Sequence, residues 1–285
     1  MQISLHHFKK GGKQQFSVRL RFTRTKYNYY PVKKETIKMV RLTLVVIALV
    51  VSLTFMGISY ADIWYEQDFD GLKDGAIVGQ DGWALHPEKP DLKSSTVQSK
   101  VAFGNKGKSL LVEGGQYVIK NFPKGKHGST QHISFDSRKD SDPGGRTNHY
   151  IGGGDVVWDG SAVFSLGLPN MLRAFNAGSH DIVAPITLKK WLHVHLVIRF
   201  GDSQTYDIYI DKEKVVDNFP FRGSAKKITH SSLDWWFLGS SHVEEGGGPL
   251  VAYIDNISIG SGDGFSVTAV SSSGKLATTW AKLKR

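Results

Sequence analysis

The chain has 285 residues, of which 40% are hydrophobic and 22% are charged, a composition that is typical of a globular protein and excludes a wholly disordered one. Its formal net charge is +10, which on its own would point to nucleic acid or an anionic surface as a partner. Because the sequence has no cysteine, disulfides, thiol nucleophiles and zinc–thiolate sites are excluded.

The positive charge is concentrated before residue 62. Residues 1–61 contain 11 of the 36 Lys and Arg residues but only one of the 26 acidic residues, Glu35. Subtracting these leaves 25 basic and 25 acidic residues, so the rest of the chain has no net charge. The sequence therefore predicts no nucleic-acid partner for residues 62–285.

Residues 42–58 form an apolar run, LTLVVIALVVSLTFMGI, that contains no charge and no proline. Basic residues precede it, and the small residues Ser59 and Ala61 follow at the spacing that a signal peptidase requires. We expect residues 1–61 to be a basic leader with a secretory signal peptide, and Met39 is an alternative start. The protein would then be secreted, periplasmic or at the cell surface. The alternative is an uncleaved leader that anchors the chain in a membrane, its only predicted membrane contact.

Short strands of alternating apolar and polar residues dominate the chain after residue 61. One face of such a strand carries Ile133 and Phe135, for example, while His132 lies on the other face. Strands that are apolar on one side need a second sheet to cover that side. We therefore predict an all-β fold, a two-sheet antiparallel jelly-roll sandwich preceded by a signal or anchor helix. The strand runs are residues 131–138, 191–200, 206–211 and 251–259.

Polar turns divide these runs, and residues 201–204 and 211–214 are predicted to be hairpin tips. Because no long linker interrupts the strands, we assign residues 62–262 to one sandwich domain. The remaining residues, 263–285, form a tail. Its predicted short helix has an apolar stripe made of Leu276, Trp280 and Leu283.

Three segments resemble the laminin-G-like or concanavalin A-like jelly-roll superfamily. The segment Trp191-Leu192-His193-Val194, followed by Asp202 and by Tyr209-Ile210-Asp211, is similar to the W-x-H-V…Y-V-D-G hairpin of that group. Residues 252–257, AYIDNI, resemble its closing strand, and residues 65–83, which end in QDGW, resemble the start of its bacterial members. The chain departs from the pattern at one point, because Lys212 replaces the usual turn glycine.

The resemblance implies two stacked antiparallel sheets, with Trp83 and Trp191 in the core. It also implies a range of activities, since the group includes lectins, carbohydrate-binding modules, adhesion domains, glycoside hydrolases and polysaccharide lyases. The fold alone therefore does not select a function.

A glycoside hydrolase of this group would need paired carboxylates on one strand face, in the pattern E-x-D-x-(x)-E. The nearest match is the segment Glu66-Gln67-Asp68-Phe69-Asp70, which ends in aspartate rather than glutamate. We expect this segment to be an edge-strand surface rather than a catalytic pair.

A polysaccharide lyase would need a cation to neutralise the substrate carboxylate, together with a base and an acid. His132 and Arg138 share the polar phase of one strand, His193 lies on another strand, and Tyr209 lies on the neighbouring hairpin. These four residues are the lyase-type candidates. The alternative is that His193, at a position that is usually structural in the group, stabilises the fold.

A calcium site would need clustered oxygen ligands from loops. The best oxygen-rich segment contains Asp140 and Asp142, with Asn148 and Asp155 downstream. We name these four as candidate ligands for calcium, the only cofactor that the sequence suggests, and a solvated turn is the alternative.

Aromatic rings bind the apolar faces of sugars, and the candidates here are Trp158, Tyr150, Trp235 and Trp236. Because Trp235 and Trp236 are consecutive, they point to opposite faces of a strand, and one of them belongs to the core. Our prediction is an exported, non-catalytic domain that binds a glycan or another extracellular polymer. The alternatives are a polysaccharide lyase or glycoside hydrolase, and an adhesion domain that contacts protein.

Overall fold

Two separate units make up the chain, Met1–Ile58 and Ser59–Arg285. The computed structural model describes residues 2–10, 13–21, 62–124, 127–142, 144–154, 161–167, 170–223, 230–240, 244–245 and 248–262. The apolar run 42–58 and the tail 263–285 lie outside these residues, so the signal or anchor helix and the tail helix stay predictions. Within the described part of the chain, no helix is long and apolar enough to cross a membrane.

The first unit contains one antiparallel hairpin. Its strands are β1 (Gln2–Lys10) and β2 (Lys13–Arg21), which pair along their whole length.

The second unit is built from strands, and its described residues include only a 3-10 turn, Phe103–Asn105, and no α-helix. This confirms the prediction of an all-β fold. The strands are β3 (Asp62–Gln67), β4 (Gly75–Ala76), β5 (Trp83–Leu85), β6 (Thr96–Gln98), β7 (Ser109–Glu113), β8 (Gln116–Asn121), β9 (Thr130–Lys139), β10 (Thr147–Gly152), β11 (Ala162–Leu166), β12 (Met171–Asn176), β13 (Ser179–Pro185), β14 (Leu192–Arg199), β15 (Thr205–Ile210), β16 (Glu213–Pro220), β17 (Trp235–Ser240), β18 (Glu244–Glu245), β19 (Gly248–Pro249) and β20 (Val251–Ser261).

These strands form two large antiparallel sheets, as predicted, and β18 and β19 form a small separate hairpin. The nine-stranded sheet has the order β16-β15-β14-β9-β20-β7-β6-β4, and β3 also pairs with β20. The seven-stranded sheet has the order β13-β12-β11-β10-β17-β8-β5. Neighbours in both sheets are often distant in the sequence, so the sandwich closes only when strands from both ends of the domain come together.

The core lies between the two sheets and follows the alternation in the sequence. From the nine-stranded sheet, Ile133, Phe135 and Val194 point inward and are fully buried. From the seven-stranded sheet, Phe164 and Trp236 meet Phe135, with ring centroids 6.4 Å and 5.3 Å from it. Burying one such aromatic side chain contributes roughly 1.5 to 3 kcal/mol, so these contacts hold the sheets together.

Two details concern the segments that resemble the superfamily. Trp83 is buried in the core, at 2% exposure, as expected. The expectation that Trp191 lies in the core is wrong: this residue is only partly buried and lies against Phe103, because Leu192 and Val194 take the inward positions. At the predicted hairpin tip, Asp211 and Lys212 have φ of 48° and 80°. Lys212 therefore adopts the left-handed conformation itself, in the place where a glycine is usual.

Candidate functional site

The outer face of the seven-stranded sheet, the face turned away from the core, carries the polar side chains that form the site. Along β10, His149 and Ile151 point into the core, so Asn148 and Tyr150 point outward. Asn148 pairs with Ser165 of β11, and Ser165 pairs with Arg173 of β12. This pairing places an amide, a hydroxyl and a guanidinium side by side across three strands.

A β-bulge in β13 completes this face. Arg173 pairs with Ile182, whereas Leu172 pairs with Ala184, so Val183 is an extra residue in β13. On the hairpin-tip side of the bulge, His180 pairs with Phe175, and both side chains belong to the outer face.

A cavity of about 210 Å³ opens on this face of the sheet. Basic and polar side chains line it beside a tyrosine and two apolar side chains. The lining residues are Arg146, Asn148, Tyr150, Val163, Ser165, Phe175, His180 and Arg222. We refer to this cavity as the basic pocket.

The imidazole of His180 is held in the basic pocket by two neighbours. Its ring stacks on the ring of Phe175, with centroids 4.5 Å apart and planes at 9°. Its Nε2 lies 3.5 Å from the hydroxyl of Ser165. The guanidinium carbon of Arg222 lies 4.8 Å from the centroid of the Phe175 ring, a cation–π contact. Phe175 therefore contacts both the imidazole of His180 and the guanidinium of Arg222.

The basic pocket keeps this imidazole neutral. Burial, followed by the positive charges of Arg146, Arg173 and Arg222, lowers the pKa of His180 to about 4, while Asp181 opposes this shift. The buried Nε of Arg173 has no hydrogen-bond partner among the described residues. At neutral pH the site thus combines three cations with a neutral base, an arrangement suited to an anionic ligand.

The other half of the outer face is closed. Tyr117, Ile119, Trp235 and Phe237 form a second hydrophobic cluster there, in which no residue is more than 3% exposed, and Tyr150 packs against it. As the alternation predicts, Trp236 points to the opposite side and lies in the main core at 0% exposure. Neither Trp235 nor Trp236 presents an exposed ring to a sugar. Trp158 lies outside the described residues, and Tyr150 lines the basic pocket.

The lyase-type candidates lie on the other sheet. His132 Nδ1 is 3.1 Å from His195 Nε2, and the His195 ring stacks on Tyr209 with centroids 5.5 Å apart. His193 Nδ1 is 3.0 Å from a carboxylate oxygen of Asp136. The structure thus brings His132 and Tyr209 around His195, while His193 pairs with a carboxylate further along the strands.

Arg138 pairs with one of the calcium candidates, and the four calcium candidates are not brought together. Arg138 donates two hydrogen bonds to Asp140, of 2.6 and 2.9 Å, and Asp142 accepts a 2.9 Å bond from Asn170. Asn148 lies in the basic pocket on the other sheet, and Asp155 lies outside the described residues. Across the described ranges, no group of three or more His, Asp or Glu side chains is placed to hold a metal ion.

The carboxylates of the hydrolase-like segment do not share a strand face. Glu66 belongs to β3, which ends at Gln67, whereas Asp68 and Asp70 lie in the turn that follows. Asp68 accepts a bond from the Asp70 amide, and Asp70 accepts a 2.7 Å bond from the Lys108 amide. They stabilise this turn.

Sequence reasoning named Tyr150 as a sugar-binding ring and Asn148 as a calcium ligand. It missed the four cationic and basic residues of the site, which are Arg146, Arg173, His180 and Arg222. Arg173 lies between the apolar Leu172 and Ala174, which is a weak signal of an outer-face position, whereas the neighbours of His180 are polar and give no such signal. Arg146 and Arg222 lie outside the strands, and no spacing in the sequence connects them to His180.

No family model matches the chain, and no curated protein matches it. Among solved structures, a sialidase aligns with a TM-score of 0.51 at 13% identity, over 71% of this chain and 19% of the sialidase. The chain thus spans about a fifth of that protein. An endo-β-1,4-glucuronan lyase from the fungus Trichoderma reesei aligns at a TM-score of 0.41, with 16% identity, over 70% of this chain and 95% of the lyase. The cellulose induced protein Cip1 aligns at 0.45 and 13% identity, over 69% and 96%. The first likeness is one of fold, in keeping with the two-sheet sandwich.

Proposed function

We propose that this chain binds an acidic carbohydrate in the basic pocket. Guanidinium groups bind carboxylates through paired, charge-assisted hydrogen bonds, and aromatic faces bind the apolar side of a sugar ring. The basic pocket offers both, because Arg146 and Arg222 line it together with Tyr150 and Phe175. The observation that carries the proposal is that Arg146 and Arg222 line the same cavity as Phe175 and His180. The likeness to a sialidase concerns the fold and does not select a ligand. The choice of an acidic carbohydrate is supported by the charge and size of the basic pocket.

We also infer that the chain belongs to the concanavalin A-like superfamily and that residues 62–262 act outside the cytoplasm. The hairpin and closing-strand motifs support the first inference, and the apolar run 42–58 after a basic segment supports the second.

Binding to a panel of saccharides tests the proposed function. Calorimetric titration with uronate oligosaccharides, sialyl oligosaccharides and matched neutral oligosaccharides should give binding only to the carboxylated ones. Arg146→Ala and Arg222→Ala should each weaken binding about 10-fold or more, since a charge-assisted hydrogen bond contributes roughly 1.5 to 3 kcal/mol. Arg138→Ala is the matched control, because Arg138 is paired with Asp140 on the other sheet. Equal binding of neutral and acidic sugars would contradict the proposal.

A second candidate function is β-elimination from a uronate, favoured by the neutral imidazole of His180. In this reaction His180 would take the proton from the carbon that bears the carboxylate, and the electron pair left behind would form a carbon–carbon double bond. The bond from the neighbouring carbon to the glycosidic oxygen would break, and the leaving oxygen would take up a proton, for which Tyr150, a residue that lines the same pocket, would be the donor. The arginines would stabilise the charge that develops on the carboxylate.

Ultraviolet absorbance of the unsaturated product distinguishes the two functions. A lyase releases an absorbing product from uronate polymers, and His180→Ala should abolish the signal while His132→Ala, on the other sheet, should leave it unchanged. Saturable binding without any rise in absorbance selects the non-catalytic function.

A further inference from the structure

We propose that the basic pocket takes the terminal residue of an acidic saccharide chain rather than an internal one. This inference rests on the proposed function and specifies which part of the saccharide the pocket recognises. Three features of the described residues carry it: a closed neighbouring surface, cations from beyond both ends of the central strand, and the volume of the cavity.

The surface beside the basic pocket is closed by residues 86–93, which we call the cover segment. The His86 ring stacks on Phe237, with centroids 4.2 Å apart, and Leu92 packs on the same cluster. His86 and Phe237 are both 0% exposed. A saccharide that crossed the whole outer face would have to displace these packed rings.

Backbone hydrogen bonds fasten the cover segment to the sheet. The Lys93 amide donates to the Gly115 carbonyl at 2.9 Å, and the Lys93 carbonyl accepts from the Tyr117 amide at 3.2 Å. Within the segment, the Lys89 amide donates to the His86 carbonyl at 3.1 Å, and the Glu88 amide donates to His86 Nδ1 at 3.0 Å. Opening this side would therefore require several hydrogen bonds and a buried aromatic contact to break together.

Cations enter the basic pocket from beyond both ends of the strand β10. Arg146 immediately precedes β10. Arg222 follows β16 of the other sheet, and its amide donates a 2.9 Å bond to Ser161, just before β11. Because both side chains line the same cavity, an anionic group between them is held along the strand direction. Among the described residues, these cations and the cover segment leave the side of β13 as the approach for the rest of a saccharide chain.

The volume agrees with a single sugar unit. Drug-sized ligands occupy pockets of about 300–1,000 Å³. The basic pocket, at about 210 Å³, is smaller than that range and is suited to one carboxylated ring rather than to several consecutive ones.

Chain-length and end-blocking experiments test this inference. The probes are α-1,4-oligogalacturonates and β-1,4-oligoglucuronates with one, two, four and eight residues, and octamers blocked by methylation at either the reducing or the non-reducing end. We expect the affinity to change less than about 3-fold beyond the dimer, because later residues extend past the pocket. Blocking one of the two ends of the octamer should weaken binding about 10-fold or more.

The stoichiometry with a long polymer separates this inference from the proposed function. One protein molecule should bind per polymer chain, whatever the chain length. Several molecules per chain, or octamers that bind equally well with either end blocked, would overturn terminal recognition while leaving acidic-carbohydrate binding intact. The proposed function itself would fail if neither the sialyl oligosaccharides nor a uronate of any length bound, and in that case the unblocked uronate monomer and dimer would also give no binding signal.

Discussion

The ring of His180 lies nearly parallel to that of Phe175, at 9° and 4.5 Å between centroids, and the two residues are cross-strand partners in β12 and β13. The stack removes one face of the imidazole from water. The same phenyl ring carries the guanidinium of Arg222. The phenyl ring of Phe175 thus contacts both the imidazole of His180 and the guanidinium of Arg222.

Replacing Phe175 should therefore change the titration of His180. In Phe175→Leu, loss of the ring lets water reach the imidazole, so the pKa of His180 should rise from about 4 toward its usual 6.5. Titration of the imidazole protons by NMR, assigned by comparison with His180→Ala, measures this shift. Phe175→Tyr is the control that keeps the stack. A pKa that stays near 4 in Phe175→Leu would show that the ring does not govern the protonation of His180.

Binding of a uronate should be independent of pH through the range in which an ordinary histidine titrates. Because the pKa of His180 is lowered to about 4 by burial and by the three arginines, this imidazole stays neutral between about pH 5 and pH 8. Calorimetric titrations at several pH values in this range check the prediction. A 10-fold tightening as the pH falls from about 7 to 5.5 would mean that His180 becomes protonated there.

The buried His149 should make the fold sensitive to acid. Its ring is fully buried, stacks on Phe164 at 4.4 Å, and has a pKa lowered to about 3 by burial. The unfolded state, with a pKa near 6.5, binds the proton that the folded state refuses, so stability falls as the pH drops from about 6.5 toward 3.

His149→Phe tests this linkage, because it keeps an aromatic ring in the stack and removes the titration. Between pH 7 and pH 4.5, the free energy of unfolding of this variant should fall by on the order of 2 to 3 kcal/mol less than that of the unsubstituted protein. Urea denaturation at both pH values measures the difference. An equal loss of stability in both proteins would assign the acid sensitivity to other groups.

Replacing Lys212 at the hairpin tip with glycine should increase the stability of the protein. Lys212 has φ of 80°, a conformation that costs a residue with a side chain about 1 kcal/mol or more. Lys212→Gly removes this strain at some cost in chain entropy, so we expect a net gain of about 0.5 kcal/mol. Thermal denaturation compares it with Lys212→Ala, which keeps the strain and controls for the loss of charge. A melting temperature below that of Lys212→Ala would contradict the prediction.

The sequence allowed the sandwich to be predicted because the alternation in strands such as β9 and β14 is a local property. Ile133 and Phe135, or Val194 and Leu196, fall on one face whichever strands become their neighbours. Strand order is not local: β9 lies between β14 and β20, a neighbour more than a hundred residues away. The pairing of β17 with β8 and β10 likewise could not be read from any single segment.

The site was harder to predict for the same reason. Asn148 was predicted as a calcium ligand and Tyr150 as a sugar-binding ring. That both line one cavity with Phe175 and His180, which lie on two other strands, could not be predicted from either segment. His132 and His193 stood out because they lie in visible alternating strands. Their environments, beside His195 and Asp136 respectively, became apparent only from the register of β9 with β14.

The bulge at Val183 decides which side chains of β13 face the basic pocket. A one-residue change of register transfers every later side chain to the opposite face of a sheet. Deleting Val183 would remove the bulge and leave His180 opposite Phe175. If Val183 were instead paired with Arg173, Asp181 would lie opposite Phe175 on the outer face and His180 would point toward the core. The pocket would then gain a carboxylate and lose its imidazole with no change of sequence. A natural or engineered variant could therefore lose its ligand through a shift of strand register alone, which a comparison of residue identities would overlook.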